Sequence, residues 1–464
     1  MKPLGKRILA CLLTACLLLG SLSWLDSLLM RKSGEINYAY FFEQEEEFDV
    51  LFFGSSHVVN AVLPPELWRD WGIVSFNMAN TGCMLPTSYW MLELALRYKT
   101  PSLVVVDCLN LESNFKIFKE RFEQLSVTMD AFPLSLTKIR AAIDLMDDPY
   151  LEEELASTET KAMEARSAVT ILWPFYLYHS RWKELKKIDL VPLANEMKGA
   201  TVLAGRAEPQ QIKRIPAETR LEGDSVGIEY LKKMIELCQS RGIEILLINV
   251  PYPATREQFA SANRVYDIAE EYGVNYLNFL DMQVVNYRTD CYDPHSHLNA
   301  SGAEKVTAYL GHYLRERYQI PDRRGDKRYA HWEQEYELFW KTLARMLREQ
   351  TELTAYLSLL YNKNFDVWIE FRDRRILDSR LYGDMLENLG VDASQVQQNG
   401  TGVYLHENRE AKYSVLETPP DESLRITVLD GRTQKPIDQI TASYVFDEEQ
   451  PEPVSVISLR HLSD

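Results

Sequence analysis

Two short segments carry the residue types of nucleophilic catalysis. Phe52-Phe53-Gly54-Ser55-Ser56-His57 closes an apolar run, and Asp293-Pro294-His295-Ser296-His297-Leu298-Asn299 precedes a helical pattern. A serine on a tight strand-to-helix turn can attack a carbonyl once a base takes its proton. A histidine with a carboxylate about one helical turn upstream supplies that base and the acid that orients it. Brought together, Ser56, His297 and Asp293 make a nucleophile, a general base and an orienting acid. Each alone has a plainer reading: a serine at a helix start caps free N–H groups, and a lone histidine is more often structural. The catalytic reading gains because the serine closes a buried strand and the chain later supplies an Asp/His loop to match it.

The elements that would position them follow an alternating pattern. Asp49 to Phe53, Gly72 to Asn77 and the β-branched Leu103 to Asp107 read as strands. Gly242 to Val250 and Val274 to Phe279 read as two more. Helical patterns separate them at Thr87 to Tyr98, Val226 to Ser240 and Thr255 to Tyr272, and Ser301 to Tyr318 follows the last strand. Strands separated by helices imply right-handed crossovers, hence an α/β fold: a three-layer sandwich around a mostly parallel five-stranded sheet. Reacting groups in such sheets lie beyond the carboxyl ends of the strands. Ser56 follows the first strand and His297 follows the last.

From about Leu111 to Gly205 the alternation stops and reads as a helical insertion, with helices expected at Leu134 to Leu145 and Tyr150 to Arg166. It carries an aromatic cluster from Trp173 to Trp182. Packing against the main domain is one reading; lining an acceptor groove is the other. In the second, Tyr178, His179, Arg181 and Trp182 would contact substrate, together with His57 beside the nucleophile. Past Pro321 the character changes to a small α+β module: a helix from about Glu333 to Leu360, a helix near Ser379 to Leu389, and strands at Phe365 to Phe371, Gly402 to Leu405, Leu424 to Leu429 and Ile437 to Phe446. The expected division is an anchor over 1–30, a catalytic domain over 31–330 and the C-terminal module, a binding or packing accessory, over 331–464.

Composition narrows the function. The formal charge of -17, without a long basic stretch, argues against nucleic acid as a partner. Lys2, Lys6 and Arg7 precede an uncharged run from Ile8 to Leu25, close to the ~20 residues that cross a bilayer as a helix. An uncleaved membrane helix with the bulk of the chain extracytoplasmic is the favoured reading. A cleaved signal peptide ending near Ser21-Leu22-Ser23 is the competing one, and Leu13-Thr14-Ala15-Cys16 also has the look of a lipoprotein box. Cys83, Cys108, Cys238 and Cys291 lack CxxC spacing, so neither a zinc site nor another metal or cofactor is expected. Disulfides and buried free thiols both remain open.

Taken together, the two segments resemble the SGNH (GDSL-like) hydrolase superfamily over Asp49 to Tyr318. Within it they are most similar to the membrane-anchored extracytoplasmic branch that handles acyl groups on cell-surface polymers, such as the D-alanyl-lipoteichoic-acid transfer protein and the alginate and peptidoglycan O-acetyltransferases. The resemblance implies Ser56 as nucleophile and an oxyanion hole from the backbone N–H groups of Ser56 and Gly82, the latter in Asn77-Met78-Ala79-Asn80-Thr81-Gly82. Asn110 is a loose match to the asparagine of the family's third block. It further implies a serine esterase or O-acyltransferase, a cell-envelope polysaccharide or teichoic polymer as partner, and an integral membrane O-acyltransferase as acyl supplier. The family's last block reads Asp-x-x-His, whereas Asp293 stands four residues before His297, so an extra residue must bulge or the acid must come from elsewhere. A non-catalytic envelope protein that binds glycan or a partner on the same scaffold is the alternative. The C-terminal module faintly resembles the interleukin-like (ILEI) domain, in Phe365-Asp366-Val367-Trp368-Ile369 followed by Leu386-Glu387-Asn388-Leu389-Gly390.

Overall fold

The computed structural model describes residues 3–29, 38–43, 47–117, 128–130, 132–148, 171–173, 175–185, 197–406, 410–418, 420–447 and 452–462. The expected helix Tyr150 to Arg166 lies outside these residues. Five short apolar segments form strands β1 (Val50–Phe53), β2 (Ser75–Asn77), β3 (Leu103–Asp107), β4 (Glu244–Asn249) and β5 (Asn275–Asn278). They assemble into one sheet in the order β2-β1-β3-β4-β5, and every pairing is parallel. The chain is therefore of the α/β class.

The near-continuous apolar strands are explained by burial on both faces. Val50, Phe52, Leu103, Val105, Leu246 and Ile248 enter one core with Val58, Leu67, Val306 and Leu310. The alternating Leu51, Phe53, Val104, Val106, Ile245 and Leu247 enter another, against Trp90 and Leu94 of the Leu85–Ala95 helix and Ile228 and Leu231 of the Val226–Ser240 helix. Local signals set the helix ends. Pro64 opens the Pro64–Trp71 helix and Gly72, at φ 64°, stops it. Thr255 and Gln258 form a reciprocal capping box at the start of Arg256–Tyr272.

Pro3–Leu29 is one helix, and its Gly5–Leu22 stretch is long and apolar enough to span a membrane, with mean hydropathy 1.6. In the insertion the first expected helix is present as Leu136–Met146, capped by Ser135. Cys83, Cys108, Cys238 and Cys291 are buried and free, so the thiol reading holds and the disulfide reading does not.

The C-terminal residues form a six-stranded antiparallel sheet: β6 (Phe365–Phe371), β7 (Gly402–Leu405), β8 (Ala411–Ser414), β9 (Leu424–Asp430), β10 (Pro436–Ala442) and β11 (Leu459–His461), ordered β11-β10-β9-β6-β7-β8. The single helix expected over Glu333 to Leu360 is two, His331–Arg348 and Leu353–Leu359. The break has a cause. Thr351 and Leu353 turn their backbone groups to Leu459 and Ile457 at 2.9 and 3.0 Å, pairing the chain with its own C-terminal end.

This sheet shares its core with the parallel one through Trp332, whose ring packs against Phe48 at 6.3 Å and Trp68 at 5.5 Å. A buried polar joint adds to it. The Asn362 amide donates to Glu66 at 2.7 Å and to Glu304, two carboxylates that both face Arg69. Removing a donor from buried carboxylates costs more than the bond itself contributes. Asn362→Ala is therefore expected to lower stability by about 2–3 kcal/mol, measured by urea unfolding.

Candidate active site

The turn after β1 divides its duties between adjacent serines. Ser55, with extended backbone, is the N-cap of the Ser56–Ala61 helix, and its hydroxyl accepts from the His57 N–H at 3.3 Å. Capping thus falls to Ser55, and the Ser56 hydroxyl is free for another partner. Gly54 permits the turn by close approach: a Cβ there would sit 2.7 Å from Val58 Cγ2 and 2.8 Å from Asp107 Cβ.

That partner is His297. Its Nε2 stands 2.8 Å from Ser56 Oγ, across 241 residues of sequence, and its Nδ1 is hydrogen-bonded to Asp293 Oδ2. The extra residue between acid and base is absorbed locally. Asp293 Oδ1 accepts the N–H groups of His295 (2.9 Å) and Ser296 (2.8 Å), so the carboxylate caps its own turn while Oδ2 faces the imidazole. The Tyr292 N–H bonds the His297 carbonyl at 2.9 Å and closes the loop. His295 points elsewhere, to the Gln210 side chain at 2.9 Å. Burial opposes ionisation of Asp293, but the His295 N–H, the His297 ring and the Ser296 N–H together hold its carboxyl below the usual range. Asp293 and His297 are 28% and 27% exposed, open enough for substrate.

The other expected residues are placed as follows. Gly82 lies at φ 68° in the turn after β2, where the Asn80 N–H bonds the Gly54 carbonyl at 3.2 Å and ties this turn to the nucleophile's. Asn110 turns the chain after β3 at φ 62°, and its carbonyl accepts from the Ser113 N–H at 3.1 Å. These contacts fix the loop after β3. In the aromatic cluster Arg181 donates to the Leu29 carbonyl at 2.6 Å, which seats this segment on the exit of the N-terminal helix. His179 packs on Phe175 at 6.0 Å, and Trp182 is 63% exposed. Tyr178 ends the short Phe175–Tyr178 helix beside them. His57 is buried next to the triad, its ring 5.6 Å from that of His297.

Sequence reading passed over Asp107 and Tyr252. Asp107 closes β3 directly beneath Gly54; Oδ1 accepts the Val250 N–H at 3.2 Å while Oδ2 is buried without a hydrogen-bond partner among the described residues. Burial pushes its carboxyl up to about 7, against the N–H groups of Val250 and Leu109. Its signal was available, since an acid at the carboxyl end of an inner parallel strand has few donors besides loop N–H groups.

No family model matches the chain, and no curated protein matches it significantly.

Two measurements follow. Folded Asp107 holds its proton to about pH 7, well above the unfolded value, so its own contribution to stability is full below about pH 4 and is lost as pH rises through 7. Asp107→Asn should flatten that decline in a series of pH-dependent melts. Asn299 caps the Ala300–Tyr318 helix and gives its amide to the Gly205 and Thr289 carbonyls, both at 2.8 Å. Asn299→Ala is expected to lower stability by about 2–4 kcal/mol in denaturant titrations.

Proposed function

We propose that this protein is a serine ester hydrolase or O-acyltransferase of SGNH type, with the three-layer arrangement of that superfamily. It acts on acyl groups of a cell-envelope glycan or teichoic polymer. The observation that carries the reading is the continuous relay Ser56 Oγ to His297 Nε2 and His297 Nδ1 to Asp293. The altered acid spacing was the ground for a non-catalytic scaffold, and the acid nonetheless lies on the base. The apolar N-terminal helix supports a membrane-anchored protein whose bulk faces outward, where envelope polymers are.

The chemistry proceeds in two halves. Ser56 Oγ attacks the ester carbonyl carbon as His297 Nε2 takes its proton. Asp293, held ionised, accepts from the Nδ1–H and stabilises the imidazolium. The carbonyl oxygen becomes an oxyanion, met in this proposal by the backbone N–H groups of Ser56 and Gly82 and by Asn110. Each such donor is worth roughly 3 kcal/mol. Collapse breaks the bond to the alcohol oxygen, which leaves with the proton from His297, and the acyl group stays on Ser56. Water then gives hydrolysis; a sugar or polyol hydroxyl gives transfer, with an integral membrane O-acyltransferase as the proposed acyl supplier.

The test is turnover of p-nitrophenyl acetate by the purified full chain. Ser56→Ala should abolish it with an unchanged melting curve. His297→Ala and Asp293→Ala should each reduce kcat by about 10²–10⁴-fold. Turnover that survives Ser56→Ala would sink the proposal.

A further inference from the structure

His57 follows the nucleophile and is only 8% exposed. Its ring packs edge-on against Tyr252 at 4.8 Å and lies 5.6 Å from the His297 ring. Nδ1 of His57 is sealed from solvent without a hydrogen-bond partner among the described residues, whereas Nε2 is not so sealed. An orphaned buried N–H is costlier than an under-satisfied acceptor, so the proton belongs on Nε2 and Nδ1 carries the lone pair. The ring is also neutral: burial above all, then the His297 charge, lowers its pKa to about 3, with Asp293 opposing. His57 is thus a fixed-tautomer, uncharged hydrogen-bond donor beside Ser56.

Packing does not require a nitrogen here. A phenylalanine would make the same edge contact with Tyr252 and leave no polar atom stranded. A buried orphan kept next to reacting groups calls for a role outside the fold. Its position suggests which role. His297 must reach both Ser56 Oγ and the departing alcohol oxygen, and the His57 ring is its neighbour at 5.6 Å. From this arrangement we infer that His57 recognises the alcohol part of the substrate, its Nε2–H donating to an oxygen of a sugar or polyol held against the triad. The inference rests on the serine-ester reading above. His57 exchanges no proton in the reaction; it selects hydroxyl-bearing substrates and orients the ester, or the accepting hydroxyl in transfer.

The experiment compares kcat/KM of the full chain for p-nitrophenyl acetate and for a mono-O-acetylated methyl glucoside. In His57→Phe the value for the sugar ester should fall about 10-fold further than for the aryl ester, mainly through KM. The melting temperature of this variant should equal or exceed wild type, because the orphan nitrogen is gone. His57→Gln, whose amide restores a donor near the Nε2 position, should recover most of the sugar-ester loss. Equal losses on both esters, or none, would overturn the assignment and leave the triad standing, as would a lowered melting temperature with no recovery in His57→Gln. A wild-type protein inert toward both esters overturns the serine-ester reading and this inference with it.

Discussion

Two buried polar side chains, Asp290 and Asn299, hold the loop on which the candidate site depends. Asp290 is completely buried, and its carboxyl receives the Ser301 hydroxyl (2.6 Å), the Lys305 ammonium (2.6 Å) and the Asn286 N–H (2.8 Å). A buried carboxylate without such donors would be prohibitively costly. Asn299, equally buried, ties the other end of the loop to Gly205 and Thr289. The two ends are clasped by the Asn299 N–H on the Asp290 carbonyl at 2.9 Å. At Gly302 the packing is so close that a Cβ would lie 2.8 Å from the Asp290 carbonyl oxygen. The eight residues between these posts therefore have little freedom, and His297 is aimed by groups that never meet substrate. This is the support that precise side-chain placement requires.

The serine side depends on a different device. Its precision comes from the parallel sheet, which sets the carboxyl ends of β1 and β5 on the same rim, and from the small volume of Gly54 over Asp107. A lone serine there would have to cap the helix, and its hydroxyl would be committed to backbone N–H groups. Two serines in succession remove the conflict: Ser55 serves the helix and Ser56 serves the histidine. In the tandem Ser55-Ser56 one hydroxyl thus caps the helix while the next is left to the histidine.

The parallel sheet was legible because apolar β-branched strands, spaced by amphipathic helices, leave few alternatives. Its strand ends named Ser56 and His297 correctly as neighbours. The Asp293 spacing was legible only as a problem. That a carboxylate can satisfy two N–H groups of its own turn with one oxygen and an imidazole with the other depends on loop dihedrals, which residue types do not encode. The break at Glu349 to Glu352 was hidden for a related reason. The helical pattern of Glu333 to Leu360 is locally unbroken, and only pairing with Ile457 and Leu459, a hundred residues on, interrupts it. Asp107 was missed because a strand reading counts a terminal acid as a boundary and does not ask for its donors.

The C-terminal sheet is joined to this site more closely than a tethered accessory would be. The Asn388 amide donates to Ser301 Oγ at 2.8 Å and accepts from Lys305 at 2.6 Å, so it enters the same network that holds Asp290. Ser358 Oγ accepts the Gly205 N–H at 3.0 Å, directly behind the carbonyl that Asn299 uses. With Asn362 bridging Glu66 and Glu304, three C-terminal side chains bear on the Pro64–Trp71 helix, on Gly205 and on the Ala300–Tyr318 helix that follows the His297 loop. Displacing the Tyr382–Asn388 helix and the Asn362 turn would remove the Asn388 donor from Asp290 and the Asn362 donor from Glu304, a loss that buried carboxyl groups tolerate poorly. The His297 loop thus shares its supporting hydrogen bonds with residues well beyond the parallel sheet.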